Sequence, residues 1–463
     1  MPWPSSATGW RRCCSPDRVA VIGQPTTNPV LRECSGCGLF QVVPALGPGM
    51  RADCLRCGTG LRRTRADSLN RCLALTAATL VLFVVLWSGM LMRVSTAGIV
   101  HEATLASGPL ELVRHGLWPL ALVVAFTTAL APFAKYAGML YVLVGVRARR
   151  PFPHLGRVFL FARRMGLWAM LEVLLLGVFV AYTKLGDLVH VEVGTAVVAL
   201  GLLTVMALWA DTALDPDAVW AAIEARGQTH APMPAMSPGE PSLDFHPGAA
   251  SCEACGLVGL HDTRCLRCGS AVHPRKPNSL HRTAALIFAA AILYIPANAY
   301  PVLTVIQAGA GQPSTIVDGI EELLASHMYP LAVLVFVASV LVPVLKLTGL
   351  ALMLMGIVLV TTTFGASRFL VERTRLYHVV AWIGRWSMVD IFMESLLGAL
   401  VQFGTVVNIA PGIGAVAFCG VVILTILAAE TFDPRVMWDA AALNAHRPHA
   451  LRWARSKGDR RAT

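Results

Sequence analysis

Charge is scarce in this sequence. Only 14% of its 463 residues are Asp, Glu, Lys or Arg, against 56% hydrophobic, too little polar surface to cover a soluble globule of this length. Further absences narrow the function. No Gly-x-x-x-x-Gly-Lys-Ser/Thr run is present, so the chain lacks a Walker A loop for ATP. No nucleophile, base and orienting acid group at catalytic spacing, which argues against an enzyme. Residues 1–33 hold Arg11, Arg12 and scattered prolines but no apolar core of signal-peptide length, and read as a disordered cytoplasmic tail.

What is present is a duplication. Adding 211 takes Cys54 and Cys57 to Cys265 and Cys268, Ser68-Leu69 to Ser279-Leu280, Pro132 to Pro343, Lys135 to Lys346 and Gly138 to Gly349. Farther on, an offset of 218 takes Trp168 to Trp386, Asp215-Pro216 to Asp433-Pro434 and Trp220 to Trp438. Each copy reads as two cysteine pairs, then a long apolar region closed by Asp-Pro.

Apolar runs near 72–92, 116–146, 165–185 and 192–212, and again near 283–304, 328–362, 386–407 and 410–429, each reach the roughly 20 residues that cross about 30 Å of hydrocarbon as a helix. The expected fold class is an all-α polytopic membrane protein: two tandem four-helix transmembrane modules, each preceded by a small cytoplasmic domain resembling a zinc ribbon or rubredoxin. The expected order is tail 1–33, ribbon 34–66, module 67–220, linker 221–250, ribbon 251–276, module 277–440 and basic tail 441–463. Arginine and lysine cluster before the first span of each module, between its second and third spans and in the C-terminal tail. Both termini are therefore expected in the cytoplasm, with loops 93–115 and 305–327 outside. The net charge of +11 follows from this bias and suits anionic lipid headgroups, not nucleic acid.

The cysteine pairs carry the clearest chemistry. Cys34-Ser-Gly-Cys37-Gly with Cys54-Leu-Arg-Cys57-Gly, and Cys252-Glu-Ala-Cys255-Gly with Cys265-Leu-Arg-Cys268-Gly, each place four thiols where tight turns present them to one ion, the glycine tolerating the positive φ of such a turn. Two structural metal sites are expected. Zinc is preferred because nothing else suggests electron transfer, although four thiolates also accept iron. Redox-active dithiols are the weaker reading.

Ionisable groups inside apolar runs are the second feature. Lys135 and Lys346 each follow a proline by three residues and stand about a dozen residues before the end of the run, roughly 18 Å at helical rise, farther than a lysine stem snorkels comfortably. The matching acids in the next runs are Glu172 and Asp390, with Glu394 a turn beyond. Such groups face polar interiors or one another, so the expected pairs are Lys135 with Glu172, a structural pair, and Lys346 with Asp390. The copies differ at Tyr294-Ile-Pro-Ala-Asn298, whose place in the first copy is apolar. Pro296 removes a helical hydrogen bond and frees a carbonyl for Asn298 or water. A polar path is expected along Pro296, Asn298, Lys346, Ser387, Asp390, Glu394 and Thr405.

The runs Pro277-Asn-Ser-Leu-His-Arg282, Tyr294-Ile-Pro-Ala-Asn-Ala-Tyr-Pro301, Pro343-Val-Leu-Lys346, Trp386-Ser-Met-Val-Asp390 and Phe432-Asp-Pro-Arg435 resemble the paraquat-inducible protein A family of Gram-negative inner membranes. The resemblance covers residues 34–440; the first copy keeps Pro132, Lys135, Trp168 and Asp215-Pro216 but loses the Ile-Pro-Ala-Asn element. It implies envelope lipid trafficking with a periplasmic MCE-domain partner. The alternative class is a redox- or metal-responsive membrane regulator with the thiols as sensor.

Overall fold

The computed structural model describes residues 30–96, 99–150, 152–186, 190–227, 248–307, 310–362, 369–400 and 407–442. The first ribbon is two antiparallel hairpins, β1 (Val30–Glu33) with β2 (Phe40–Val43) and β3 (Arg51–Asp53) with β4 (Gly60–Arg63). β1 thus begins ahead of the first cysteine.

The first module follows as α1 (Ser68–Ser88), β5 (Met92–Thr96), β6 (Ile99–Ala103), α2 (Ser107–Arg114), α3 (Trp118–Ala125), α4 (Ala131–Arg147), α5 (Leu155–Met165), α6 (Leu171–Gly186), β7 (His190–Val193), α7 (Thr195–Ala213) and α8 (Pro216–Glu224). The second ribbon holds β8 (Ala249–Ser251) and β9 (Val258–Leu260). The second module repeats the order as α9 (Ser279–Ala299), β10 (Leu303–Gln307), β11 (Ala310–Ser314), α10 (Ile316–Ala325), α11 (Tyr329–Phe336), α12 (Val342–Thr362), α13 (Leu370–Ile383), α14 (Val389–Leu400), β12 (Val407–Pro411) and α15 (Ile413–Thr431).

The repeated motifs acquire structural reasons. Ser68 Oγ donates to Ala213 O and accepts from Asp215 N, and Ser279 Oγ makes the same pair of bonds to Thr431 O and Asp433 N, so each module's first span is tied to the end of its last. Asp215 caps α8 by accepting from the amides of Asp217 and Ala218, with Pro216 opening the helix, where no amide donor is needed. Pro132 and Pro343 lack the N–H for the carbonyl four residues back, and in each copy the helix widens just ahead into a π turn, Phe126–Leu130 and Val337–Leu341.

Six helices among the described residues are long and apolar enough to cross a membrane: Ser68–Ser88, Trp118–Arg147, Thr195–Ala213, Ser279–Ala299, Tyr329–Ile357 and Ile413–Thr431. The third run of the first module, expected as a full span over 165–185, forms its helix only from Leu171, after a turn at Trp168, and in the second module the apolar helix follows a tight turn at Gly384–Met388 and is described as far as residue 400. Both third helices connect the two sides. β7 joins β5 in the sheet β6-β5-β7, and β12 joins β10 in β11-β10-β12, so α6 and α14 lead toward the side where α1 and α9 end. The expected outer loops therefore carry a small antiparallel sheet and a short helix each.

α6 and α14 pack on each other between the modules. Val173, Val180, Ile391 and Leu400 have no exposed surface. A Cβ at Gly177 would lie 3.0 Å from the Phe392 Cβ, the close backbone approach that small residues permit inside membranes.

Candidate functional site: thiolate clusters and buried lysines

Four near-identical turns build the cysteine sites. In each, the amide of the first cysteine donates to the carbonyl five residues on, and the glycine after the second cysteine donates back to the first cysteine's carbonyl: Cys34 N to Leu39 O, Gly38 N to Cys34 O, and likewise from Cys54, Cys252 and Cys265. The glycines, Gly38, Gly58, Gly256 and Gly269, have φ of +73° to +74°, where a side chain would be strained.

The eight sulfurs fall into two buried sets of four, each within 4.8 Å of one another. Cys34 to Cys57 is 3.4 Å, Cys37 to Cys54 3.6 Å, Cys252 to Cys268 3.5 Å and Cys255 to Cys265 3.4 Å. A tetrahedral ion with metal–sulfur bonds near 2.3 Å holds its sulfurs about 3.8 Å apart, so both sets fit a metal after small adjustment. Gln41 Nε2 donates to Cys54 Sγ at 2.9 Å and Arg56 N at 3.4 Å, as suits a thiolate. Crowding divides the thiols: hydrogen bonds from Cys252 and Cys255 pull Cys265 down to about 6, whereas bonding to Cys252, then to Cys265, pushes Cys255 up.

The ribbons dock crosswise. Arg56 of the first lies 4.3 Å over the Trp438 ring of the second module, and Trp438 Nε1 donates to Thr374 Oγ1 at 3.1 Å. Arg267, the repeat of Arg56, lies 5.9 Å over Trp220, the repeat of Trp438 in the first module, and its Nε donates to Glu224. The second ribbon's cysteines share a core with Val142, Leu143, Phe159 and Trp220. The two ribbons also join each other. Glu33, 1% exposed at its side chain, accepts from Arg275 Nη1 at 3.0 Å, Arg435 Nη1 at 3.1 Å and Ser251 N at 2.8 Å. Arg435 grips Asp433 with two bonds of 2.9 Å. Burial would raise the Asp433 pKa, but Arg435 holds it below the usual carboxylate range.

The buried lysines depart from expectation. Lys135 Nζ lies 2.6 Å from Asp211 Oδ2 on α7, so its ion pair is with Asp211 rather than Glu172. Depth also needs correction. The helix through 118–147 has 30 residues, about 45 Å, and its far half, with Met139, Val142 and Val146, packs in the ribbon layer. Lys135 therefore stands level with Asp211, which is 46% exposed and two residues from the end of α7. Glu172 sits in the first turn of α6, where the helix dipole favours a carboxylate.

Lys346 differs from its repeat. It is 1% exposed, and Ala429 stands where the first module has Asp211. Its Nζ has one hydrogen-bond partner among the described residues, Gly384 O at 3.3 Å, and its stem packs 3.3 Å from the Cβ position of Gly384. Ser387 Oγ is buried without a hydrogen-bond partner among the described residues. Asp390 and Glu394 lie on α14, but their side chains, and all of Thr405, fall outside the described residues. Pro296 is inside α9, and Asn298 Nδ2 donates to Tyr294 O at 2.8 Å rather than to the carbonyl of Ile292 that the proline frees. The sequence reading missed Asp211, the acid left in the fourth apolar run, and the Glu33 network, which no spacing signals.

The family description "Paraquat-inducible protein A" matches residues 69–224 and 280–442. The chain is 33% identical over 422 residues to the intermembrane transport protein PqiA of Escherichia coli K12, covering 89% of this chain and 96% of that protein. It is 30% identical to the lipophilic envelope-spanning tunnel protein A of the same strain, covering 91% and 94%. A probable intermembrane transport protein of Haemophilus influenzae is 25% identical, covering 88% and 94%. No solved structure matches. With both modules matched and the relatives aligned through ribbons and spans alike, the chain belongs to the paraquat-inducible protein A family.

Proposed function

We propose that this chain is the inner-membrane component of an envelope transport system that moves phospholipid or a similar amphiphile to or from a periplasmic MCE-domain partner, with both termini cytoplasmic and a structural zinc ion in each ribbon. Relatives named for intermembrane transport support the class of function. The observation that carries the reading in this chain is Lys346. An ionisable group buried in a span is costly and is kept where it serves a path, and the second module keeps it without an acid in the place of Asp211. Protons are the coupling ion this arrangement suits, passing among Lys346, Asp390 and Glu394. Pro296, Asn298, Ser387 and Thr405 complete the proposed path, while Lys135 with Asp211, and Glu172 beside them, support assembly.

The regulator reading is weaker. A sensor thiol must be reached by its oxidant or metal, and all eight cluster cysteines are buried. The test is complementation of an envelope-stress phenotype measured together with membrane abundance. Lys346→Ala and Asp390→Ala should abolish complementation at normal abundance, whereas Lys135→Ala and Glu172→Ala should chiefly lower abundance. Full complementation by the Lys346 and Asp390 variants would overturn the reading.

A further inference from the structure

Where the first module's spans leave the membrane on the ribbon side, a cleft of about 250 Å³ opens between α1, α7 and the first ribbon. This is below drug-sized pockets and of headgroup scale. Arg65 and Arg71 line it together with Trp209, Thr212 and the turn at Pro48 and Gly49. The cleft is built rather than incidental. Thr64, buried, donates through Oγ1 to the carbonyls of Gly47 and Met50, and its own carbonyl accepts from Gly49 N, which fixes that turn as one wall.

Its charge is uncompensated. Among the described residues neither Arg65 nor Arg71 has a carboxylate within ion-pair distance, and Arg65 Nε is buried with no hydrogen-bond partner. The nearby Asp67 carboxylate accepts from Asn70 Nδ2. Trp209 is 59% exposed, and Val205 and Leu208 on the same helix are exposed as well. An indole at the end of a span marks the headgroup level; aliphatic side chains below it suit an acyl chain.

The duplication supplies an internal comparison. In the second module Lys276 replaces Arg65, Leu427 replaces Trp209 and Glu430 replaces Thr212, while Arg282 keeps the place of Arg71. Lys276 Nζ is turned to the carbonyls of Glu430 and Phe432, and a carboxylate stands where the first module offers a hydroxyl. The anion-binding chemistry is thus present in one copy and cancelled in the other. We propose that the Arg65–Arg71 cleft binds the phosphodiester headgroup of one anionic phospholipid. The first module then has a ligand of its own, whether or not the second transports.

The test titrates the purified, delipidated full chain with phosphatidylglycerol and, separately, with inorganic phosphate, reading stoichiometry by native mass spectrometry. Wild type should retain one phosphatidylglycerol, and Arg65→Gln/Arg71→Gln should weaken it by at least about tenfold, as expected for losing charge-assisted hydrogen bonds. The control Arg149→Gln/Arg150→Gln, which removes two exposed charges on the same side, should leave it unchanged. Thr212→Glu, which imports the acid of the second module at an exposed position, should also remove binding and guards against misfolding of the arginine variant. Equal loss in both arginine pairs would mean diffuse charge and overturn the proposal. So would undiminished lipid in the Arg65/Arg71 and Thr212 variants, or phosphate binding without lipid binding.

Discussion

Glu33→Gln should loosen the joint between the two ribbons without emptying either thiolate cluster. The substitution keeps the shape of the side chain but turns an ionised acceptor for three donors, Arg275, Arg435 and Ser251 N, into a neutral amide. Breaking a buried ion pair outright costs about 3 to 5 kcal/mol. Here Arg435 keeps Asp433 and Arg275 keeps Asp439 at 2.6 Å and 2.9 Å, so about 1.5 to 3 kcal/mol, the value of a hydrogen bond to a charged group, is the fitting figure. That amounts to about 10- to 150-fold faster hydrogen exchange for amides released when the joint opens. Exchange mass spectrometry over 249–260 and 30–43 reads it directly, because Ser251 N–H is itself one of the bonds lost. Glu33 adjoins Cys34 in the chain, but its carboxylate bonds to Ser251 N, Arg275 and Arg435 and to no cluster sulfur, so metal content should not change. Exchange within about threefold of wild type at both hairpins would refute the network as the joint.

Two further outcomes concern the metal sites and the topology. Cys265→Ser/Cys268→Ser should halve the zinc content by elemental analysis and lower membrane abundance, since metal binding and folding are coupled in so small a domain; full metal content would reject the assignment. Cysteine labels placed in 93–115 and 305–327 should react with an impermeant reagent from outside and those in 147–164 and 221–250 should not; outside labelling of 221–250 would mean an odd number of crossings in the first module.

The knuckles were legible in the sequence because everything that makes them is local: two cysteines, two intervening residues and a glycine at positive φ. The duplication was legible for a similar reason, since Ser68 and Asp215 recur at fixed offsets and turn out to bond to each other. Crosswise docking was not. A duplication gives Arg56 two equivalent tryptophans, Trp220 and Trp438, and one copy's spacing cannot say which it meets. The Lys135 pairing failed for a different reason. Depth was counted from Arg147 as though the helix ended with the membrane, but the helix overshoots into the ribbon layer, bringing Asp211 level with the lysine. The late start of α6 was hidden too, because an apolar run does not reveal the turn at Trp168 that opens it.

The exchange of ribbons bears on ancestry. Arg56 on Trp438 and Arg267 on Trp220 are one contact made twice in opposite directions, which is what a twofold-symmetric dimer of single-module chains would form between its subunits. Fusion of two such genes would turn an intermolecular interface into an intramolecular one and free each half to diverge. Asp211 facing Ala429, and Trp209 facing Leu427, are divergences of that kind: a homodimer would have had to carry each residue in both subunits or in neither.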